Sequence, residues 1–305
     1  MIHLSIVICT KDRPDDLNRL LDSITHQNLL PNSLIVVDGS DDPVEHVVKR
    51  FSGLNIDYIA VRPPSLPKQR NVGISRLKKE TDWVGFLDDD LVLEKDSFEQ
   101  IVNSIYTFKG LKALGGISMM ITNVPEAPYS PLRGLFLLDH KQDGHFTSSA
   151  CSGMLRKINN TIEVQWLSGG VTFWSKKVLD EHSFDEWFAG TGYMEDVDFS
   201  YSVSKNYSLA YCGTAKCEHF QHPVSKKKMY TLGVWQITAW WYFVKKFKDF
   251  NKLATLWSMI GLTFINLAQG IFKPASNRFD KFLGNLKGLT LVLLGQATKK
   301  RTWHK

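Results

Sequence analysis

Several residue patterns are scarce in this chain, and each scarcity removes a class of function. The four cysteines, Cys9, Cys151, Cys212 and Cys217, form no CxxC pair, which excludes zinc-finger spacing and argues against a disulfide framework. Cys9 sits inside an apolar run, where a reduced, buried thiol is the default, and this points to the cytosol. The first apolar stretch, Leu4 to Cys9, gives way at once to Lys11-Asp12-Arg13 and is too short for a signal peptide. No glycine falls between Cys9 and Pro14, so the first strand leads into no glycine-rich phosphate loop. Internal repeats are absent. Acidic residues are scarce only at the far end: residues 221–305 hold 15 Lys/Arg against 2 Asp/Glu, and residues 1–220 hold 22 against 29. An acidic body with a basic tail suggests a tail that faces something anionic, membrane lipid or nucleic acid. No nucleic-acid recognition motif accompanies it, and the acidic body speaks against that partner.

What is present is the composition and punctuation of a folded α/β protein. The 305 residues are 43% hydrophobic and 22% charged, ordinary for a chain that buries a sizeable core. Leu4–Cys9, Leu34–Val37, Ile56–Val61 and Val84–Leu87 read as strands. Between them, helices are expected after Asp15 or Asp16 as a cap, over Pro43–Phe51 and over Pro67–Leu77. Strand alternating with helix at this spacing predicts a mostly parallel sheet with helices on both faces. From about 120 to 165 the pattern turns irregular, with Pro125, Pro128, Pro131 and Gly144, and reads as loops shaping a second binding surface. A strand is expected at Val171–Trp174, a helix at Glu195–Val203 and a strand at Leu209–Cys212. Beyond Pro223 the chain reads as helical, basic and rich in tryptophan (Trp235, Trp240, Trp241, Trp257, Trp303). Two domains are expected, 1–222 and 223–305. The uncharged stretch Leu253–Phe272 is long enough to span a bilayer, but Thr255, Ser258, Thr263, Asn266 and Gln269 dilute it, which favours an interfacial or core helix over a span.

In a sheet of this kind ligands bind beyond the carboxyl ends of the strands, and Thr10, Asp38 and the triplet Asp88-Asp89-Asp90 all fall there. Three adjacent carboxylates repel one another unless something positive sits among them. The triplet therefore reads either as a divalent metal site with a phosphate-bearing ligand beyond it or as an acidic turn. Asp38 before Gly39-Ser40 is either an acceptor for a base or sugar or a turn former. Arg70 in the first turn of its helix reads as an anion contact or a solvated cation. Glu195-Asp196, after Gly190 and Gly192, could meet a ligand or simply cap a helix. His219 could complete a carboxylate metal site or be structural.

The order of these features resembles the inverting family 2 glycosyltransferases of the GT-A fold. The resemblance is carried over residues 3–222 by Ser5–Arg13 as the opening strand, Arg70-Asn71-Val72-Gly73-Ile74 as a helix, and Phe86–Asp90 as the DxD strand. Phe184-Asp185-Glu186 and Glu195–Asp198 match the acceptor-side region. The segment Trp240–Lys246 is similar to the tails of bacterial members that build surface polysaccharides. Two departures stand out: a single aspartate, Asp38, precedes Gly39-Ser40, and Ser202 stands where many members have an arginine. The resemblance implies a Rossmann-like, mostly parallel sheet with a basic helical C-terminal extension. It implies metal-dependent transfer, with Mn2+ or Mg2+, of a sugar from a nucleotide-sugar to a glycan or lipid-linked acceptor. Thr10, Asp38, Arg70, Asp88 and Asp89 would bind the donor, with Asp89 facing the sugar. Asp90, Asp88 and His219 would hold the metal, and Asp196 would be the general base with Glu195 positioning the acceptor. Trp166, Gly169 and Gly170 would line the acceptor region. The implied place is the cytoplasmic, inner face of the membrane. The rival readings are a non-catalytic partner in a polysaccharide assembly complex and a nucleotidyltransferase, which lacks its glycine-rich loop here.

Overall fold

Apolar strands that alternate with amphipathic helices assemble here into one nine-stranded sheet. The structure is a computed structural model and describes residues 2–125, 128–190, 192–222 and 225–299; Thr191, Pro223 and Trp303 lie outside the described residues. It divides into two compact units, residues 1–126 with 157–221, and residues 127–156 with 222–305. The irregular stretch near 130–155, which the sequence reading kept inside a first domain running to 222, groups with the C-terminal helices.

In the first unit β1 (Leu4–Thr10) runs into α1 (Pro14–Thr25). Leu17, Leu20, Leu21 and Ile24 form the buried face of α1. Proline at its first turn, not an aspartate cap, starts this helix, and Asp16 pairs with Arg19 instead. β2 (Ser33–Asp38) and β3 (Ile56–Ala60) flank α2, a single turn at Glu45–Val48. It is shorter than expected because the Asp38 carboxylate accepts the Val44 N–H and fixes the preceding loop. Then come α3 (Leu66–Ser75), β4 (Trp83–Asp88), β5 (Leu91–Leu93), α4 (Ser97–Thr107) and β6 (Leu114–Ile121). After α5 (Pro131–Leu135), which belongs to the second unit, the sheet resumes with β7 (Thr161–Val164) and β8 (Val171–Ser175). It closes with α6 (Lys176–Glu181), α7 (Glu195–Ser204) and the long β9 (Ser208–His219).

The strand order is β3-β2-β1-β4-β8-β6-β9-β5, with β7 also on β9. β1, β2, β3 and β4 pair in parallel, as do β6 and β9, while β8, β5 and β7 pair antiparallel with their neighbours. Six of the nine strands thus point one way. Ile6, Ile8, Leu34, Val36 and Phe173 fill the core beneath. Two antiparallel pairings matter for the site. β4 against β8 sets Leu87 opposite Val171, and β5 against β9 sets Leu91 opposite His219.

The second unit is built from α8 (Lys226–Lys246), α9 (Lys252–Phe272) and α10 (Arg278–Leu293), with residues 128–156. Ser225 and Asn251 cap the starts of α8 and α9 through their side chains. Small residues let α8 and α10 approach closely: a Cβ on Gly284 would lie 2.1 Å from the Tyr230 carbonyl oxygen. Asn285 donates to the Gly233 carbonyl at 2.9 Å and accepts from Asn266 at 2.7 Å. α9 is, among the described residues, the helix long and apolar enough to cross a membrane.

Candidate functional site

All the polar residues singled out in the sequence fall in the first unit, and most meet where β1, β4 and β9 end. Asp88 closes β4, and Asp89 and Asp90 form the tight turn into β5. The β5–β9 register then carries His219 to the turn, where the next residue, Phe220, donates its N–H to the Asp90 carbonyl at 2.9 Å. His219 Nε2 lies 2.8 Å from Asp90 Oδ1. Beyond that imidazole this buried oxygen has no hydrogen-bond partner. One donor atom each from Asp88, Asp90 and His219 falls within a 4.8 Å cluster.

The positive charge that three adjacent aspartates require comes first from the protein. Arg13 Nη1 donates to Asp89 Oδ1 and to Asp90 Oδ2, both at 3.0 Å, and Arg70 Nη2 lies 3.7 Å from Asp88. Arg70 is buried, bonds Glu195 directly and stacks its guanidinium over Phe184 at 5.2 Å. Burial pulls Arg70 down, yet Glu195 and Asp88 more than offset it and hold the guanidinium protonated. Five carboxylates (Asp88, Asp89, Asp90, Glu195, Asp196) thus surround two guanidiniums and one imidazole, a formally negative site even with His219 protonated. That residual charge, the under-satisfied Asp90 oxygen and the mixed carboxylate–imidazole donor set fit a divalent cation. Asp88, Asp90 and His219 could hold it.

The environments separate the triplet electrostatically. Against the upward push of burial, His219 and Arg13 hold the Asp90 carboxyl below its usual range. Burial lifts Asp89 to about 6, with Thr10 and Arg13 pulling against it. Burial also raises Asp88, opposed by Arg70 and His219. Burial lowers His219, but Asp90 and Asp88 outweigh it and raise the imidazole overall. Burial pushes Glu195 well up, with Arg70 opposing. Cys9, at the same strand end, is pushed up to about 12 by burial despite Arg70, so its thiol stays protonated and unreactive.

Beside the Asp88, Asp90 and His219 cluster stands another carboxylate, Asp196, in the first turn of α7. Its Oδ2 accepts the Gly169 N–H at 3.0 Å and its Oδ1 the Val197 N–H at 2.8 Å. Gly169 and Gly170 join the two walls. A Cβ on Gly169 would meet Asp196 Cβ at 2.8 Å, and one on Gly170 would meet Asp88 Oδ2 at 2.1 Å. The Asp88 N–H donates to the Gly170 carbonyl at 2.9 Å. Trp166 lies half-buried in the same β7–β8 connection. Before α7 the chain turns sharply: Gly190, Gly192 and Met194 have φ of 82°, 69° and 70°. A methionine in that left-handed region is a strained choice of the kind that collects at functional sites.

Three residues expected at the donor are bonded within the protein itself. Asp38 is 0% exposed. Its carboxylate accepts from Ser40 N (2.7 Å), Val44 N (3.0 Å) and Tyr58 Oη (2.5 Å). It organises the 38–44 loop and offers no open face to a nucleoside. Asp89 turns toward Thr10, whose hydroxyl donates at 2.7 Å, and toward Arg13. Both Thr10 and Asp89 are buried, and Asp89 braces the turn. Arg70 spends its charge on Glu195 and Asp88 inside the protein. Arg13 and Gln69 went unassigned in the sequence. Gln69 clamps the strand exits by donating to the carbonyls of Thr10 (3.1 Å) and Val37 (2.9 Å). The position of Gln69 beside Arg70 was the available signal; for Arg13 it was the excess of carboxylates elsewhere.

Residues 5–162 match the protein family described as Glycosyl transferase family 2. The chain belongs to that family. No curated protein sequence matches it. Its fold is similar to S. aureus TarS 1-349 in complex with UDP, at 16% identity and a TM-score of 0.52, covering 90% of this chain and 73% of that one. It is also similar to the mannosyltransferase PcManGT from Pyrobaculum calidifontis in complex with GDP-Man and Mn2+, at 12% identity and a TM-score of 0.54, covering 94% and 87%. Against a longer S. aureus TarS structure the identity is 16% and the TM-score 0.51, and the match covers 88% of this chain but 44% of that one. At these identities the likeness shows the fold alone. The fold of this family 2 member is a mixed α/β, GT-A-like one with C-terminal helices added.

Proposed function

We propose that this glycosyltransferase carries out metal-dependent, inverting transfer of a sugar from a nucleotide-sugar to a hydroxyl of a glycan or lipid-linked acceptor, in cell-surface polysaccharide synthesis. The observation that carries the proposal is the pair of acidic walls joined through Gly169-Gly170. One wall is the Asp88, Asp90 and His219 cluster, and the other is Asp196. The solved relatives crystallised with UDP and with GDP-Man and Mn2+ support a donor of that class.

The reaction breaks the bond between the anomeric carbon and the diphosphate and forms one to the acceptor oxygen. A divalent cation, Mn2+ or Mg2+, held by Asp88, Asp90 and His219 would supply Lewis-acid stabilisation of the charge on the departing diphosphate. The acceptor hydroxyl is a poor nucleophile until its proton leaves, and Asp196 takes that proton. Two backbone N–H groups fix the Asp196 carboxylate, so it is aimed before the acceptor arrives. Glu195, locked to Arg70, holds the start of α7 in place. Attack from the face opposite the leaving group inverts the anomeric configuration. The enzyme would work in the cytoplasm on the inner face of the membrane, held there by the second unit.

The test is a panel of nucleotide-sugars, scored for thermal stabilisation and hydrolysis with and without Mn2+ or Mg2+. At least one donor is expected to stabilise the protein only with metal, and Asp90→Ala to remove the metal-dependent part. Donor binding indifferent to metal, or unchanged in Asp90→Ala, would overturn the proposal.

A further inference from the structure

In the second unit α8 buries an apolar face, Ile237, Trp240, Phe243 and Val244 among it, whereas α9 and α10 hide many small and polar residues and expose apolar ones. The buried side of α9 carries Thr255, Ser258, Gly261, Thr263, Asn266 and Gly270, with only Met259 and Leu262 as large apolar residues among them. Its outward side carries Leu253, Trp257, Ile260, Phe264 and Ile271, a stripe at helical spacing. Asn266 is 1% exposed, whereas Ile260 and Phe264 are 54% and 57% exposed. α10 repeats the inversion: Gly284, Asn285 and Gly288 are buried, and Phe279, Leu283 and Leu286 are exposed. Glycines in close contact and a buried asparagine pair join these helices, the packing that serves when the surrounding solvent is lipid. An outward apolar surface of this extent needs a partner.

We propose that the outward faces of α9 and α10 lie within the interfacial layer of an anionic bilayer, parallel to its plane. Charge selects the occupant. Residues 251–300 carry Lys252, Lys273, Arg278, Lys281, Lys287 and two further lysines against Asp280 alone. A second copy would oppose like charges, whereas acidic lipid headgroups offer the opposite sign beside an apolar layer. The orientation follows from what flanks α9. Its first turns are bonded to the 128–156 segment: Thr255 Oγ1 donates to the Ser149 carbonyl at 3.0 Å and Trp257 Nε1 to the Leu135 carbonyl at 2.9 Å. The same segment holds Arg156 ion-paired to Asp139 and Asp143. A spanning α9 would drag those charges toward hydrocarbon, and an in-plane α9 leaves them in water. This deepens the proposed membrane location by assigning the contact to apolar insertion and not to the basic residues alone.

The full chain is tested by flotation with phosphatidylcholine vesicles containing phosphatidylglycerol, at low salt and at salt that shortens the Debye length to about 3 Å. Binding is expected to survive high salt, and Ile260→Glu and Phe264→Glu are each expected to weaken it roughly tenfold or more. Ile260→Leu should bind as the unaltered chain does, and circular dichroism of the Glu variants should be unchanged because both sites are exposed. Trp257 fluorescence should be quenched by lipids brominated near the headgroup. Binding that high salt abolishes and the Glu variants leave intact would overturn the inference in favour of a basic patch. Quenching only by deeply brominated lipids would overturn the in-plane orientation. A dimer without vesicle binding, broken by Ile260→Glu, would assign the face to a second copy. Nucleotide-sugar stabilisation, read on the same variants, separates failure of this inference from failure of the proposed activity.

Discussion

In the first unit, Ile8, Leu34 and Phe173 lose all contact with solvent while five carboxylates gather at the strand exits. In the second unit, α8 buries Ile237, Phe243 and Val244 in the same way, but α9 hides Thr255 and Ser258 at 0% exposure beside Met259 while Ile260 and Phe264 stand outside. With α9 and α10 against lipid as proposed, both units would obey one rule in different surroundings. Apolar groups go where water is not, and in the first unit that place is the interior. The contrast also shows how each holds its polar groups. The site balances charge against charge, through Arg13, Arg70 and His219, whereas the helices use neutral amides and hydroxyls, which cost less to bury than ions do.

The contrast is sharpest in chemistry. Asp196→Asn is expected to lower transfer by roughly 10³-fold, within the range of a lost general base, with metal-dependent donor binding and vesicle flotation unchanged. Loss of donor binding in that variant would remove the distinction between the two acidic walls. In stability, Ile8→Ala should cost about 2–5 kcal/mol by cavity formation. Ile260→Ala should stay within about 0.5 kcal/mol in lipid-free solution. Equal losses in denaturant titrations would show that Ile260 is covered in water and would break the comparison. Asn285→Ala strips partners from the Gly233 carbonyl and from Asn266 and should cost about 1–3 kcal/mol, showing that buried amides hold the second unit.

The smallest effect concerns Tyr58→Phe. Burial raises Asp38, but hydrogen bonds from Ser40, Tyr58 and Val44 outweigh it, so the folded carboxyl sits below its ordinary value. Its stabilisation is therefore present above the unfolded value, about 3.9, and is lost as pH falls through the folded one. Removing the Tyr58 hydroxyl should cost about 1 kcal/mol at neutral pH and move acid unfolding to higher pH, the gap closing in acid. A constant gap at every pH would show that Tyr58 does not act through Asp38.

Much of the first unit was legible because it is locally consistent. β1, β2 and β4 are uninterrupted apolar runs ending in polar residues, and α1 has one apolar face. β6 was not, since Gly115, Gly116 and two methionines blur a strand pattern. The 128–156 segment has little periodicity, and its attachment to α8 and α9 runs through backbone carbonyls, those of Ser149 and Leu135, that carry no sequence signal. The convergence of Asp88, Asp90 and His219 could be read from family order, but its cause, the β5–β9 register, could not. Side-chain direction was the hardest to read. Asp38 and Asp89 occupy the right strand exits and turn inward, because Tyr58 and Arg13, distant in sequence, draw them there. The polar residues of Leu253–Phe272 could be seen in the sequence, yet only the helix packing reveals that they face inward.

The glycine pair carries a last consequence. Because the Gly170 carbonyl takes the Asp88 amide and the Gly169 amide is taken by Asp196, two consecutive glycines tie the backbone of one wall to the side chain of the other. Adjacent Cα atoms are fixed about 3.8 Å apart by bond lengths, a dimension that side-chain repacking elsewhere in the sheet cannot stretch. A shift of the β7–β8 connection would therefore be felt at the end of β4 and at the start of α7 at once, coupling the backbone beneath Asp88 to the Asp196 side chain.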